Sequence, residues 1–327
     1  MRVALKRLLL FLVVLGLLAA PGAARTASPY LGVYGSSALF DRMGGPGHPV
    51  RHVIVGWQQG QSWGSPLGTI LTSLEPVPML GFTTSRGWPN PREAITPQGL
   101  ARGAGDGYLI AVNLALSERE ALVYVRPLAE MDSFKNPYCA FNQDGSPRSA
   151  AHSARNFRKA FARIYVLLHG GSRELVNARL RRLGLPGISQ DLPINPASRV
   201  RVVWNPLGFS EPKRPGNTPA DYYPGDAYVD VVGGDVYKTP TNVGHLTALE
   251  ALYRAHRNKP FAIPEWGLES VDDPDFVERV ASFIRSHPRT ELAAYYNLGS
   301  QYALAGKPRS LAAYKRHILP LGRRPPR

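Results

Sequence analysis

The sequence predicts a closed barrel of eight parallel strands wrapped by helices, a (β/α)8 architecture in a single domain, on three observations. Short apolar, β-branched stretches alternate with longer helical patterns from one end of the 327-residue chain to the other. Several of the short stretches are apolar with little alternation, such as Val229-Asp-Val-Val and Phe261–Ile263, as expected of strands covered on both faces. Eight such units over about 300 residues fit a closed barrel better than an open doubly wound sheet, which is the structural rival.

The elements follow in order. Strands are expected at Leu31–Tyr34 and His52–Trp57, then a helix over 66–74 that Ser65 and Pro66 open as cap and first-turn proline. The third strand is Val77–Thr84, followed by a helical stretch over 97–118, and the fourth is Ala121–Leu128, followed by one over 149–169. Arg201–Asn205 is the fifth strand and Val229–Tyr237 the sixth, with a helix over 241–257. Pro260–Pro264 and a helix over 274–287 come next, then Leu292–Asn297 and a last helix over 308–317. No internal repeat or long linker divides the chain.

Residues 1–24 read as an address. Arg2, Lys6 and Arg7 precede the apolar run Leu8–Ala20, and Gly22, Ala23 and Ala24 supply a small-residue exit, as in a secretory signal. The rival is an uncleaved anchor, for which the run is short, since a spanning helix needs about 20 residues. Residues 25–327 are then the catalytic-size domain, exported and expected to be monomeric. The formal charge is +15 and the 39 Lys and Arg are scattered, densest in Arg155–Arg163 and Arg173–Arg182. A basic surface suits an anionic envelope or an acidic glycan, although a solvated helix face explains most of it. No zinc finger, RNP motif or basic zipper is present, so nucleic acid is not expected as a partner. One cysteine rules out a disulfide framework or a cysteine-built metal site, the eight histidines show no ligand spacing, and no cofactor is implied.

In a barrel of this kind, function sits where strands end and the following loops begin. The fourth strand runs into Arg126, Glu130 and Asp132; the fifth ends in Trp204 and Asn205, the sixth in Asp235 and Tyr237. The seventh ends in Glu265 and Trp266 and the eighth in Tyr295 and Tyr296. Two glutamates among aromatics and amides make up a carbohydrate site. Glu130 and Glu265 suit glycosidic cleavage, one protonating the departing oxygen and the other attacking or stabilising the oxocarbenium-like carbon. Strand position alone leaves open that both are ordinary loop carboxylates.

Four stretches carry a resemblance: Tyr124–Asp132, Val202–Pro206, Tyr223–Asp230 and Lys259–Gly267, spanning nearly half the chain. The block beginning Tyr223, Pro224, Gly225 and Asp226 is the most specific. In order and spacing these stretches resemble glycoside hydrolase family 26, secreted endo-β-mannanases on a (β/α)8 TIM barrel. The resemblance implies a retaining, double-displacement mechanism with Glu130 as general acid/base and Glu265 as nucleophile, acting on a β-linked polysaccharide. The sugar and linkage stay open among β-1,4-mannan, mixed-linkage glucan, xylan and an exopolysaccharide. Opposed roles require separated pKa values, with Glu130 raised. The sequence departs from the pattern at Ala129, where the family usually has a histidine, and after Asp132, where Ser133, Phe134, Tyr138 and Cys139 indicate a rebuilt sugar-binding loop.

Trp204, Tyr237, Trp266 and Tyr296 are candidates to stack on pyranose faces, with Trp57 and Trp88 further out, and Asn205 is a polar substrate contact. Arg126, always charged and inside a strand, needs a buried partner and is expected to fix Glu265 in its ionised form. A binder that keeps the barrel and has lost turnover is the alternative from another class, with Ala129 as its support. A serine esterase is a lesser one. Ser62 sits in a Gly-x-Ser-x-Gly pattern with Asp235 and His245 following in chain order, but in a loop and not at a strand-to-helix turn. The glycines at 103, 105 and 107 fall inside a helical stretch and do not form a phosphate loop, and Cys139 is expected to pack as a small hydrophobe.

Overall fold

A computed structural model describes residues 28–87, 92–242 and 246–325. The expected leader, Trp88 and His245 lie outside them. Nine parallel strand segments form one sheet: β1 Tyr30–Gly35, β2 Val50–Val55, β3 Val77–Phe82, β4 Val123–Pro127, β5 Val200–Trp204, β6 Val231–Gly233, β7 Val236–Lys238, β8 Phe261–Leu268 and β9 Thr290–Asn297. Neighbours run β6-β5-β4-β3-β2-β1-β9-β8-β7, and β6 also pairs with β8, which closes the barrel. The expected sixth strand is broken at Gly234 and Asp235; its first half pairs with the start of β8 and its second half with the end. Eight staves therefore close the barrel, as the sequence indicated.

Two apolar layers hold it. Alternate strand residues point inward, and Tyr30, Val50, Met79, Tyr124, Val203 and Leu292 fill the interior. Their neighbours Leu31, Val125, Val202, Trp204 and Ala293 point outward into the larger layer under the helices. The interior is tight where strands cross. A Cβ on Gly32 would stand 2.9 Å from the Cβ atoms of Ala294 and Val50, so only glycine fits there.

The helical stretch at 97–118 is two helices, Pro97–Ala101 and Asp106–Ser117, because Gly103 turns the chain at φ +90°. Beside that turn Arg163 is fully buried in the helix Ala154–His169, and its Nε donates to Asp106 Oδ1 at 2.7 Å. Part of the basic 155–163 segment is thus an internal tie and not a solvated face. Arg173–Arg182 forms a further helix, opened by Ser172, whose side chain accepts from the Leu175 N–H. The helix at 67–73 takes Pro66 itself as its N-cap, with no side-chain cap from Ser65.

Candidate active site

At the C-terminal ends of the strands lies a cavity of about 500 Å³, lined among others by Tyr34, Trp63, Phe82, Arg126, Glu130, Tyr138, Glu265 and Tyr296. Glu130 and Glu265 come from opposite sides of the barrel and share this space. Each is aimed by a local break in regular strand geometry.

Glu130 follows β4 in a turn where Leu128 and Glu130 have φ of +50° and +53°. Non-glycine residues in this region cost roughly 1–3 kcal/mol each and persist only when surroundings fix them. Four hydrogen bonds do so. Leu128 N donates to Phe82 O at 3.0 Å and Glu130 N to Asn205 O at 2.7 Å. The Tyr138 hydroxyl donates to Ala129 O at 2.6 Å and Asn136 Nδ2 to Glu130 O at 2.9 Å. The loop after Asp132 therefore holds the carboxylate arm, and Cys139 is buried in it as a packed side chain.

Glu265 is aimed by a bulge. Along β8, Ala262 faces inward and Ile263 outward. Between the pairs Ile263–Ala293 and Trp266–Tyr295, β8 advances three residues while β9 advances two. The extra residue reverses the alternation, so Glu265 turns into the cavity and Trp266 into the outer layer.

Arg126 ties the two sides together. It points inward from β4, fully buried, and its guanidinium pairs with both Glu265 and Asp235. Its Nε donates to Asn205 Oδ1 at 3.3 Å, and Asn205 Nδ2 donates to Asp235 Oδ2 at 2.9 Å. Burial works against the arginine's charge, but the carboxylates of Asp235, Glu265 and Glu130 outweigh it and hold its pKa above the usual range. The Tyr237 hydroxyl donates to Glu265 Oε2. Burial, then the charge on Glu265, keeps that phenol well above its ordinary pKa, so it remains a donor. His52 Nδ1 lies 3.9 Å from Glu265 Oε1, and burial followed by the Arg126 charge holds the ring neutral, so it adds no counter-charge.

Glu130 is not paired with Arg126 and responds to the site differently. Burial and then the negative charge of Glu265 push its pKa up to about 7, against the pull of Arg126. One carboxylate is held by a buried cation and a phenol, and the other keeps its proton near neutrality. That separation suits one group for nucleophilic attack and the other for proton transfer.

Several expected ligand contacts do not reach the cavity. Trp204 and Trp266 are fully buried on the helix side, Trp204 against Tyr223 and His256 and Trp266 against Tyr295 and Tyr314. Adjacent strand residues point to opposite faces, so a tryptophan next to inward Asn205 or Glu265 must leave the site. Trp57 packs in the wall, 4.8 Å from the Tyr108 ring centroid. Asn205 and Tyr237 hydrogen-bond within the cluster of Arg126, Asp235 and Glu265. Tyr296 does line the cavity, edge-on to Tyr34 at 5.0 Å.

Trp63 and Asp235 are among the site members that the sequence did not single out, as is Tyr34 on the cavity wall. Trp63 lines the cavity, its Nε1 donating to Trp57 O at 2.9 Å and its ring edge set against Gly56, where a Cβ would come within 2.7 Å. An aromatic in the loop just after a strand was the available signal. Asp235 is the second, legible as an acidic residue at a strand end. Its pairing with Arg126 also removes it from any esterase triad, and Ser62 is exposed in a turn with its hydroxyl on Gln58 O at 3.4 Å. Substituting Tyr237→Phe deletes one hydrogen bond to a charged group and is expected to lower kcat about 10–100-fold without altering the fold, measured by steady-state kinetics beside circular dichroism.

Residues 204–286 match the family model described as Glycosyl hydrolase family 26, a stretch that contains Asp235, Tyr237 and Glu265. No curated protein sequence matches the chain. Among solved structures it is similar to the Bacillus subtilis mannanase man26, at 20% identity and TM-score 0.55, over 90% of this chain and 85% of that one. It is also similar to the β-mannanase BoMan26A from Bacteroides ovatus, at 14% identity and TM-score 0.54, over 90% and 88% of the two chains. GH26A from Muricauda sp. MAR_2010_75 aligns at 16% identity and TM-score 0.53, over 90% and 94%. At these identities the structural likeness carries the fold.

Proposed function

We propose that the chain is a glycoside hydrolase of family 26, whose model matches residues 204–286, and that it cleaves a β-linked, mannan-like polysaccharide with retention of configuration. The observation that carries this reading is the sharing of one cavity by Glu130 and Glu265, with Glu265 tied to a buried arginine and Glu130 pushed up to about 7. Glu265 attacks the anomeric carbon while Glu130 gives its proton to the departing oxygen, forming a glycosyl ester on Glu265. Glu130, now ionised, deprotonates a water that attacks the same carbon. The sugar leaves with its original configuration and both carboxyls return to their starting states. β-Mannan is the first substrate to test, because the similar Bacillus subtilis and Bacteroides ovatus proteins are mannanases. Trp63, Tyr34 and Tyr296 supply apolar faces for sugar rings.

Incubation with mannan, mixed-linkage glucan and xylan is expected to release new reducing ends from mannan. Proton NMR of the first-formed product is expected to show the β-anomer; an α-anomer would overturn double displacement. Because glycosylation needs Glu130 protonated, kcat/KM on a glycan is expected to fall as pH rises through about 7. With an activated aryl glycoside, whose departure needs little protonation, that limb should flatten; an unchanged limb would assign it to another group.

Ala129 lines the cavity with only a methyl group, which favours a second reading, a barrel that binds glycan without turning it over. A glycan array showing affinity, with no new reducing ends from any bound glycan, would select that reading. Export remains part of the proposal, supported by the basic start and the apolar run Leu8–Ala20. Sequencing the protein recovered outside the cytoplasm is expected to begin after residue 20 and before Tyr30, and an intact Met1 in a membrane fraction would favour the anchor.

A further inference from the structure

The far end of the barrel holds a second pocket, of about 420 Å³, among the N-terminal ends of the strands. Among the described residues five cations line it, namely Arg201, Arg257, Lys259, Arg289 and Arg323, against the single carboxylate Glu291. Glu291 is already paired with Arg201. Lys259 and Arg289 are held by neutral groups. Lys259 Nζ donates to the carbonyls of Asp226 and Val229 at 2.6 Å each, and Arg289 Nη1 to that of His256 at 2.8 Å. The Arg289 guanidinium also lies 3.7 Å from the Tyr253 ring centroid, and that of Arg323 lies 3.9 Å from the Tyr30 centroid. Carbonyls and rings orient these charges without neutralising them. Among the described residues the Nε atoms of Arg201 and Arg323 and the Oε1 atom of Glu291 are buried with no hydrogen-bond partner, and Arg257 is exposed at the rim.

Holding five like charges around one concavity costs Coulomb energy that a bound anion would relieve. Guanidinium forks match tetrahedral and planar oxyanions in paired hydrogen bonds, and the excess of positive charge favours a multiply charged ligand over a single carboxylate. We propose that this pocket is a phosphoryl-binding site, separate from the hydrolytic cleft, that takes a phosphate group either free in solution or carried on a lipid headgroup. The inner apolar layer, with Tyr124, Val203 and Leu292, lies between the two ends, so occupation does not obstruct the cleft.

Inorganic pyrophosphate, titrated calorimetrically into the full-length protein at constant ionic strength, is the direct probe. Saturable binding is expected, weakened about 10–100-fold by Arg257→Ser and further by adding Arg323→Ser, since each removes charge-assisted donors. Unchanged glycan hydrolysis by Arg257→Ser, whose side chain is exposed, shows that the variant is folded. Flotation with phosphatidic acid vesicles, against phosphatidylcholine vesicles, separates the sources. Retention on the former that pyrophosphate competes away assigns a headgroup, and binding of pyrophosphate alone assigns a soluble ligand. Absence of saturable pyrophosphate binding, or binding that the Arg257→Ser, Arg323→Ser double variant leaves intact, would overturn the site.

Discussion

Glu130→Ala is expected to slow hydrolysis of the glycan by about 10²–10⁴-fold while largely sparing glycosylation by an activated aryl β-glycoside. A general acid matters in proportion to how badly the leaving group needs a proton, and a phenolate needs little. The glycosyl-enzyme should then accumulate, because the same residue is the base for its breakdown. Added azide, which needs no deprotonation, should speed turnover and yield a β-glycosyl azide. Glu265→Ala removes the attacking group, so both substrates should fail together, and azide could give only an α-glycosyl azide from the vacated face. Loss of both substrates in Glu130→Ala with the aryl glycoside spared in Glu265→Ala would reverse the roles. Unchanged hydrolysis in either would remove that residue from the mechanism.

Arg126→Met should destabilise the protein by about 3–5 kcal/mol, read as a lower urea midpoint, because it leaves two buried carboxylates without their cation. The same change removes the guanidinium that holds Glu265 in place, so turnover should fall with it. Arg126→Lys is expected to recover only part of either quantity. An ammonium is a compact point charge, and the native guanidinium reaches Glu265, Asp235 and Asn205 Oδ1 at once. A methionine variant with wild-type stability would show that the carboxylates do not depend on this pairing.

The barrel was legible because its cause is local and repeated. Apolar runs covered on both faces, alternating with helical periods, leave few other ways to bury that surface, and all eight staves stand near their expected positions. Glu130, Glu265 and Arg126 were legible for the same reason, since strand ends define the mouth of the barrel. The orientation of each neighbour was not. Trp204 beside Asn205 and Trp266 beside Glu265 share the strand ends but face the helices, and the bulge that decides which β8 residue looks inward depends on pairing with β9. Trp63 enters the cavity because its loop folds back over Gly56. Asp235 joins Glu265 on Arg126 across more than a hundred residues of sequence separation from that arginine. By itself, then, the sequence determined the barrel, the carboxylates at its mouth and the cation beneath them, because these follow from burial pattern and strand order. Only the tertiary structure decided which aromatics meet the cleft and which carboxylates share the cation, because side-chain direction turns on single-residue shifts in register that composition and periodicity do not encode.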